Sequence, residues 1–336
     1  MITWDAYPAV PARTEIHPQT GREVKRPGEP PARVARLAFD QSGDRLLSVP
    51  ASKVIGNQSV ITDPIRLWGR TGTLIREFVA ARFQVGDTSV ASPFHASGDR
   101  LVVAHTEETP QNDEAYADVT CLLKVWDLNS GQPLASGTGP GKVSDAVGLP
   151  DGRLLLVTPT AVWQMAADLT APAVKIPGRP RASPKATRLA VSPDGKRFAA
   201  VGRSRATVWT AEGTALASRD HSKSPQNGPA AFRPDSTVLA VGHGTVVDLW
   251  DYGTGAEITL VGHRRPVWAV GFGPDARTVY TAASDGVVVA WDAEAGVVRQ
   301  QFDFGTGKLY SAAVAPDGLT LALGGEDGRI TVVDME

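Results

Sequence analysis

Two markers recur together along this chain of 336 residues, seven times over and in the same order. The first is a turn of the form apolar-x-Pro-Asp-Gly or a close variant of it. The turns end at Gly43, Gly98, Gly152, Gly195, Ser236, Ala276 and Gly318, which are 55, 54, 43, 41, 40 and 42 residues apart. The second marker, usually a tryptophan, follows each turn at Trp68, Trp126, Trp163, Trp209, Trp250, Trp291 and Val333. This regular spacing predicts seven copies of one supersecondary unit.

The clearest copy runs from Gly262 to Asp292 and continues into the next segment. It contains short alternating or β-branched runs at 267–271, 277–282, 287–291 and 297–302. Pro-Asp and Asp-Gly turns separate these runs, which is typical of consecutive hairpins. No run of 10 or more residues has a helical period, so the pattern favours an all-β fold built from four-stranded antiparallel sheets.

A single four-stranded sheet of this composition cannot cover both of its faces, but a ring of such sheets can. The Trp-Asp pairs at Trp126, Trp250 and Trp291, together with the Gly262-His263 pair, resemble the repeats of WD40 β-propellers. The other units carry degenerate, bacterial-type versions of the pair. The resemblance implies a single seven-bladed β-propeller domain over residues 1–336, with the third strand of each blade ending near its second marker.

The last unit ends at Asp334 after its third strand, so its fourth strand has to come from elsewhere. In the family that this chain resembles, an N-terminal strand completes the last blade. We therefore expect the closing strand within residues 1–32. Our first choice is the segment 20–26, which directly precedes the first repeat, and the second is the segment 2–7.

Composition narrows the functional classes. The formal net charge of −2 gives no global field that would attract nucleic acid or an acidic membrane. A basic cluster at Arg179, Arg181, Lys185 and Arg188 contains prolines and no aromatic residue, and we interpret it as a solvated linker. Cys121 is the single cysteine, which excludes an intramolecular disulfide. We expect a cytoplasmic, monomeric, bacterial protein.

The resemblance also implies a structural tetrad formed by His263, Thr281, Asp285 and Trp291, whose side chains can relay hydrogen bonds between strands. The same residue types could instead form a Ser/His/Asp-type hydrolase site. We favour the structural role because the tetrad lies within one blade. A channel metal would need several ligands on the innermost strands, where Asp145 is the lone carboxylate. No His or Cys spacing indicates zinc, so we expect neither a metal nor a cofactor.

Units one and two have about 10 and 13 extra residues between their second and third strands, at 50–64 and 105–119. The resemblance places these two insertions side by side on one face. The second insertion is acidic, which predicts binding of a basic peptide or protein surface, although a merely solvated insertion fits equally well. The same face should display residues near the ends of other strands. The candidate binding residues are Glu107, Glu108, Asp113, Glu114, Tyr116, Trp268, Tyr310, Arg203 and Glu326.

These observations favour a non-catalytic scaffold that binds a protein or peptide through a loop-rich face. One alternative is a propeller enzyme of the hydrolase or lactonase type with its site in the channel. Another is a subunit of a larger signalling or transport assembly.

Overall fold

The computed structural model describes residues 1–7, 9, 13–16, 23–26, 31–40, 42–51, 53–55, 58–61, 64–78, 83–85, 90–91, 100–109, 118–141, 143–158, 160–177, 188–221 and 228–335. Within these ranges every regular element is a β-strand. The strands are β1 (Ile2–Asp5), β2 (Arg13–Ile16), β3 (Glu23–Arg26), β4 (Val34–Phe39), β5 (Arg45–Pro50), β6 (Lys53–Ile55), β7 (Gln58–Ile61), β8 (Ile65–Gly69), β9 (Leu74–Phe78), β10 (Phe83–Val85), β11 (Val90–Ala91), β12 (Arg100–Thr109), β13 (Asp118–Asp127), β14 (Pro133–Gly139), β15 (Asp145–Gly148), β16 (Arg153–Thr158), β17 (Ala161–Ala166), β18 (Val174–Lys175), β19 (Arg188–Val191), β20 (Arg197–Val201), β21 (Arg205–Thr210), β22 (Ala215–Asp220), β23 (Ala230–Phe232), β24 (Val238–His243), β25 (Val246–Asp251), β26 (Glu257–Val261), β27 (Val267–Phe272), β28 (Thr278–Ala283), β29 (Val287–Asp292), β30 (Val298–Asp303), β31 (Leu309–Val314), β32 (Thr320–Gly325) and β33 (Arg329–Asp334). None of the elements in these ranges is a helix that could cross a membrane.

Seven four-stranded antiparallel blades form a ring, which confirms the predicted seven-bladed propeller. In chain order the blades are β4-β5-β8-β9, β11 to β14, β15 to β18, β19 to β22, β23 to β26, β27 to β30, and β31-β32-β33-β1. The first strand of each blade lines the centre of the ring, and the last lies outside. The turn that ends at Ala276 joins the first two strands of blade 6, as the sequence predicts.

The core of the propeller lies between blades rather than within them. In the described part of the chain, each pair of neighbouring blades encloses one cluster of buried apolar side chains. Between blades 3 and 4, for example, Phe198 and Trp209 are fully buried and stack with their ring centroids 5.2 Å apart. Burying one such side chain contributes about 1.5–3 kcal/mol. Because each blade needs both neighbours, closure of the ring completes the last of these clusters.

The N-terminal strand β1 closes the ring by pairing antiparallel with β33, from Ile2↔Val332 to Asp5↔Arg329. Our first choice for the closing strand, residues 20–26, is therefore wrong and our second choice is correct. Of that segment, residues 23–26 form β3, which pairs with β2 in a separate hairpin. The physical reason lies in the side chains available for burial. The sequence of β3 offers one apolar residue, whereas the N-terminal segment brings Trp4, Ala6 and Tyr7 into the cluster between blades 7 and 1.

Tyr7 links the closing strand to blade 1. Its side chain is 1% exposed, and its hydroxyl donates to the carbonyl of Ser48 at 2.9 Å. The amide of Tyr7 donates to the carbonyl of Gly328 at 3.0 Å, on the other side of the junction. The guanidinium of Arg66 lies over the phenol ring, 4.9 Å from its centroid. One residue therefore contacts both the last blade and the first.

Candidate functional site

The described residues of both insertions lie mostly in β-strands, whereas the sequence suggested loops. In blade 1, the residues between β5 and β8 form the hairpin β6-β7. In blade 2, β12 and β13 are ten-residue strands paired continuously from Arg100↔Asp127 to Thr109↔Asp118. The described ends of the second insertion, 105–109 and 118–119, thus extend the two middle strands of the blade. Paired strands have a regular geometry, so they project from the blade in a fixed orientation, which an irregular loop would lack.

The two insertions lie side by side on one face of the ring. The strand β10, which belongs to the connection between blades 1 and 2, pairs with β7 to make a three-stranded sheet, and it also contacts β12. Glu107 and Glu108 lie on β12, opposite Thr120 and Val119. The candidates Asp113, Glu114 and Tyr116 lie outside the described residues. The predicted shared face therefore exists, and partner binding by its acidic residues stays a prediction.

The channel at the centre of the ring opens on the same face, and two aromatic candidates lie at this mouth. Trp268 and Tyr310 both sit at β-bulges, because the pairing register of their strands skips each of them. A bulge redirects the side chain of the extra residue. Both residues line the central cavity, which has a volume of about 380 Å³. Sequence alone gave no sign of the bulges.

Basic side chains surround Tyr310. The guanidinium of Arg33 and the ammonium of Lys308 each lie 4.8 Å from the centroid of its ring. Hydrogen bonding by Lys308, and then by Arg33, lowers the pKa of the Tyr310 phenol below its ordinary value. The indole N–H of Trp268 is buried and has no hydrogen-bond partner in the described part of the structure. The mouth therefore combines aromatic surface with positive charge.

A charged layer lies deeper in the channel and consists of Arg36, Asp145 and Arg188, which we call the channel layer. These residues come from the innermost strands of blades 1, 3 and 4. The Arg36 guanidinium pairs with one Asp145 oxygen at 3.2 Å, and the Leu189 amide donates to the other at 3.0 Å. The charge of Arg36, followed by burial, lowers the pKa of Arg188 to about 10, although Asp145 opposes the shift.

The position of Arg188 corrects one interpretation, and the sequence had placed only Asp145, of these three residues, as a charged group on the innermost strands. Arg188 is the first residue of β19 and lines the channel, so assigning it to a solvated linker was wrong. The other members of that basic cluster lie outside the described residues. A usable signal was present in the repeats. Each residue of the channel layer stands three positions before the residue that opens the turn of its unit. The turns in question open at Phe39, Gly148 and Val191.

The remaining two candidates on this face lie apart from the channel layer. Arg203 occupies the turn between β20 and β21, is half-buried, and its Nε has no partner among the described residues. Glu326 lies in the turn between β32 and β33 and is exposed, and its backbone N–H donates to the carbonyl of Lys308 at 3.2 Å. The structure therefore brings Glu326, but not Arg203, close to a residue of the channel mouth.

Three of the four tetrad residues form a hydrogen-bond relay in blade 6. The Trp291 indole N–H donates to Thr281 Oγ1 at 2.8 Å, and His263 Nε2 lies 2.6 Å from the same oxygen. Asp285 does not hydrogen-bond to His263 in this fully described blade. Instead, its carboxylate accepts from the Val287 amide at 3.2 Å. Burial lowers the pKa of His263, and the charge of Asp285 partly offsets this effect. The relay ties strands together and leaves no exposed nucleophile beside the imidazole.

A shorter version of this relay occurs in two blades where the sequence did not indicate it. The Trp68 indole N–H donates to Ser48 Oγ at 2.8 Å, and that of Trp163 donates to Thr158 Oγ1 at 3.3 Å. In each case the hydroxyl residue comes two positions after the residue paired with the tryptophan. In blade 1 the phenol of Tyr7 occupies the place that His263 has in blade 6, 3.0 Å from the serine oxygen.

A second buried network lies between blades 4 and 5. Asp248 Oδ2 is 2.6 Å from His243 Nε2 and 2.7 Å from Arg219, while Thr259 donates to the other oxygen at 2.9 Å. Burial alone would raise the pKa of Asp248, but these partners outweigh it and lower the pKa to about 2. Both Asp248 oxygens are occupied, whereas Nη1 of Arg219 is buried and has no hydrogen-bond partner in the described part of the structure. Within the described ranges, no group of three or more His, Cys, Asp or Glu side chains could hold a metal ion.

Comparison with known proteins agrees with this architecture. The family model described as WD domain, G-beta repeat matches residues 256–292, which cover most of blade 6. The chain is 30% identical over 92 residues to the WD repeat-containing protein 26 homolog of Arabidopsis thaliana, an alignment that covers 26% of this chain and 16% of that protein. It is 33% identical over 82 residues to coronin-7 of Rattus norvegicus, covering 24% of this chain and 9% of that protein.

The alignments thus span less than a fifth of the length of either relative. The matched repeat lies in the blade that holds the most complete relay, and the other blades repeat its strand order and turns. With seven such blades in one ring, the matched WD40 repeat and the WD-repeat relatives agree with a WD40 β-propeller family.

Proposed function

We propose that this protein is a non-catalytic scaffold that binds a protein or peptide on the face that carries the insertions and the channel mouth. The single observation that carries the proposal is the convergence of these features. The β6-β7-β10 sheet and the long β12-β13 hairpin stand together on the face where Trp268 and Tyr310 line the channel. Aromatic residues are frequent hot spots of protein interfaces, so this face is the best-equipped one for binding.

The mechanism is rigid display. Seven blades packed against one another and closed by β1 hold the insertions and the channel mouth in fixed relative positions. A preorganised surface loses less conformational entropy when it binds, which improves affinity without additional contacts. The buried indole N–H of Trp268 adds a specific opportunity, because a partner's hydrogen-bond acceptor that reached it would satisfy a donor that now has no partner.

The charge distribution suggests what the partner carries. The β12-β13 hairpin has an acidic sequence, whereas Arg33 and Lys308 make the channel mouth basic. We propose that a basic segment of the partner contacts the hairpin.

The propeller would act as a monomer in the bacterial cytoplasm, either alone or as a subunit of a larger assembly. Binding is favoured over channel catalysis because the carboxylate of Asp145 is already engaged by Arg36 and by the Leu189 amide.

A randomised peptide library selected on the immobilised protein tests this proposal. We expect Trp268→Ala and Tyr310→Ala each to weaken the selected peptides by about 30-fold, the effect of losing a hot-spot side chain. Lysine substitutions at Glu107, Glu108, Asp113 and Glu114 should abolish binding of the basic peptides. Binding is measured by fluorescence anisotropy, after melting curves confirm that each variant is folded.

Arg277→Ala is the matched control, since this exposed residue pairs with Glu294 on the opposite face and should leave affinity unchanged. Selected peptides that tolerate all of the substitutions on the insertion face would contradict the proposal.

A further inference from the structure

We propose that the channel layer of Arg36, Asp145 and Arg188 is a binding site for a carboxylate. The first observation is the state of Arg188. Arg188 lines the central cavity and is half-buried, and no side chain in the described part of the protein forms a hydrogen bond with its guanidinium. A guanidinium has five N–H donors in a planar fork, and a carboxylate can accept two of them in parallel. Arg188 is therefore a preformed half of a bidentate pair.

The charges of the channel layer determine the charge of the ligand. Two guanidinium groups and one carboxylate leave a net charge of about +1 in a half-buried setting. Asp145 cannot neutralise Arg188 fully, since one of its oxygens pairs with Arg36 and the other accepts from the Leu189 amide. A monoanion balances the layer. A phosphate dianion would leave excess negative charge beside Asp145, so a carboxylate fits better.

The effect of Arg36 on Arg188 supports this assignment. The positive charge of Arg36, followed by burial, lowers the pKa of Arg188 to about 10, because two guanidinium groups in one channel repel each other. A pKa of about 10 leaves Arg188 charged at neutral pH, so the repulsion is present in the empty channel. A carboxylate that contacted both groups would relieve it, and this gain adds to the hydrogen bonds that form.

The channel offers room for such a ligand and a path to it. The cavity of about 380 Å³ falls within the size range of small-molecule sites. Its mouth is lined by Trp268 and Tyr310, and Arg33 and Lys308 flank Tyr310. Positive charge at the mouth attracts an anion, and the aromatic rings can pack against its apolar part. A carboxylate attached to an apolar or aromatic group is thus the expected ligand class.

This site does not depend on the proposed protein-binding role, because the carboxylate could belong to a free acid or to an acidic side chain of a peptide. Two pairs of probes separate these sources. Benzoate and the neutral benzamide represent the free acid. The peptides acetyl-Gly-Glu-Gly-amide and acetyl-Gly-Gln-Gly-amide represent the side chain. Binding is measured by isothermal titration calorimetry at pH 7 and constant ionic strength, with inorganic phosphate as a further probe.

We expect benzoate to bind in the millimolar range and benzamide and phosphate at least about tenfold more weakly. Arg188→Gln should weaken benzoate binding at least about tenfold, and Arg188→Lys should retain part of the affinity. Arg277→Gln, on the opposite face, should have no effect. A preference for the Glu peptide over the Gln peptide would show that a peptide side chain can also enter.

Two outcomes would overturn the proposal: absence of benzoate binding to the folded wild-type protein, or equal binding to wild type and Arg188→Gln. A melting-temperature comparison of the variants accompanies the titration, so that a loss of binding is not confused with a loss of fold. If benzoate binds as expected but no peptide is selected on the insertion face, the channel site stands and the scaffold proposal fails.

Discussion

Replacing Tyr7 with alanine is expected to lower the free energy of unfolding by about 3–5 kcal/mol, the range for aromatic-to-alanine changes in cores. Tyr7 is fully buried in the cluster between blades 7 and 1 and hydrogen-bonds to both blades. Its loss would leave a cavity at the one junction where the ring is closed by a segment distant in sequence. Equilibrium unfolding in urea, followed by tryptophan fluorescence, measures the effect.

Two variants define the cause of this loss. Tyr7→Phe keeps the ring and removes the hydroxyl, so it should cost about 1–3 kcal/mol for the unsatisfied buried groups that remain. Tyr310→Ala removes a tyrosine from the channel mouth, outside the interblade clusters, and should cost less than Tyr7→Ala. If the free energy of unfolding of Tyr7→Ala lies within about 0.5 kcal/mol of the wild-type value, the typical range for surface substitutions, then the closing segment does not stabilise the ring.

The second large effect is expected from Thr281→Val, which keeps the shape of the side chain and removes the hydroxyl. Both the Trp291 indole N–H and His263 Nε2 would lose their partner in a fully buried place. Leaving two buried polar groups unsatisfied costs about 2–4 kcal/mol together. Blade 5 has Val241 two positions after the partner of its tryptophan, so valine itself is compatible with the strand. Urea unfolding again provides the measurement.

Thr281→Ser is the matched control, because it retains the hydroxyl and removes only a methyl group. It should cost about 1 kcal/mol. Equal losses for the valine and serine variants would mean that packing, and not the relay, explains the role of Thr281.

Because His263 belongs to the relay, we expect the free energy of unfolding to depend on pH. Burial lowers the pKa of His263 below its ordinary value of 6.5. Above that pH the imidazole is neutral in both states, and pH has no effect through this group. As the pH falls below 6.5, the unfolded chain binds a proton before the folded protein does, so the free energy of unfolding decreases. Subtracting the pH profile of His263→Gln from that of wild type should isolate this decrease.

The strands of blade 6 illustrate how much of the fold can be predicted from the sequence. Their predicted bounds lie within one residue of β27 to β30, because Pro-Asp and Asp-Gly turns limit each strand on both sides. The closing strand was harder to predict. Its partner β33 lies at the other end of the chain, and local spacing carries no information about which distant segment buries Trp4 and Tyr7.

The candidate site shows the same division between local and distant information. The lengths of the insertions placed them on one face, but their backbone pairing depends on β10, which belongs to a different connection. Arg36, Asp145 and Arg188 are separated by long stretches of sequence and meet because the ring brings three innermost strands to one channel. The bulges that redirect Trp268 and Tyr310 are register shifts between paired strands, which a pattern in a single strand cannot reveal.

Hydrogen–deuterium exchange of the protein with and without a library-selected peptide tests the central claim most directly. The claim is that the face with the insertions and the channel mouth is the binding face. We expect protection from exchange in the segments 264–270, 307–311 and the paired parts of β12 and β13, with no change in the turns that end at Gly195 and Ala276 on the opposite face. Protection confined to those opposite turns or to the outer strands β22, β26 and β30 would contradict the account.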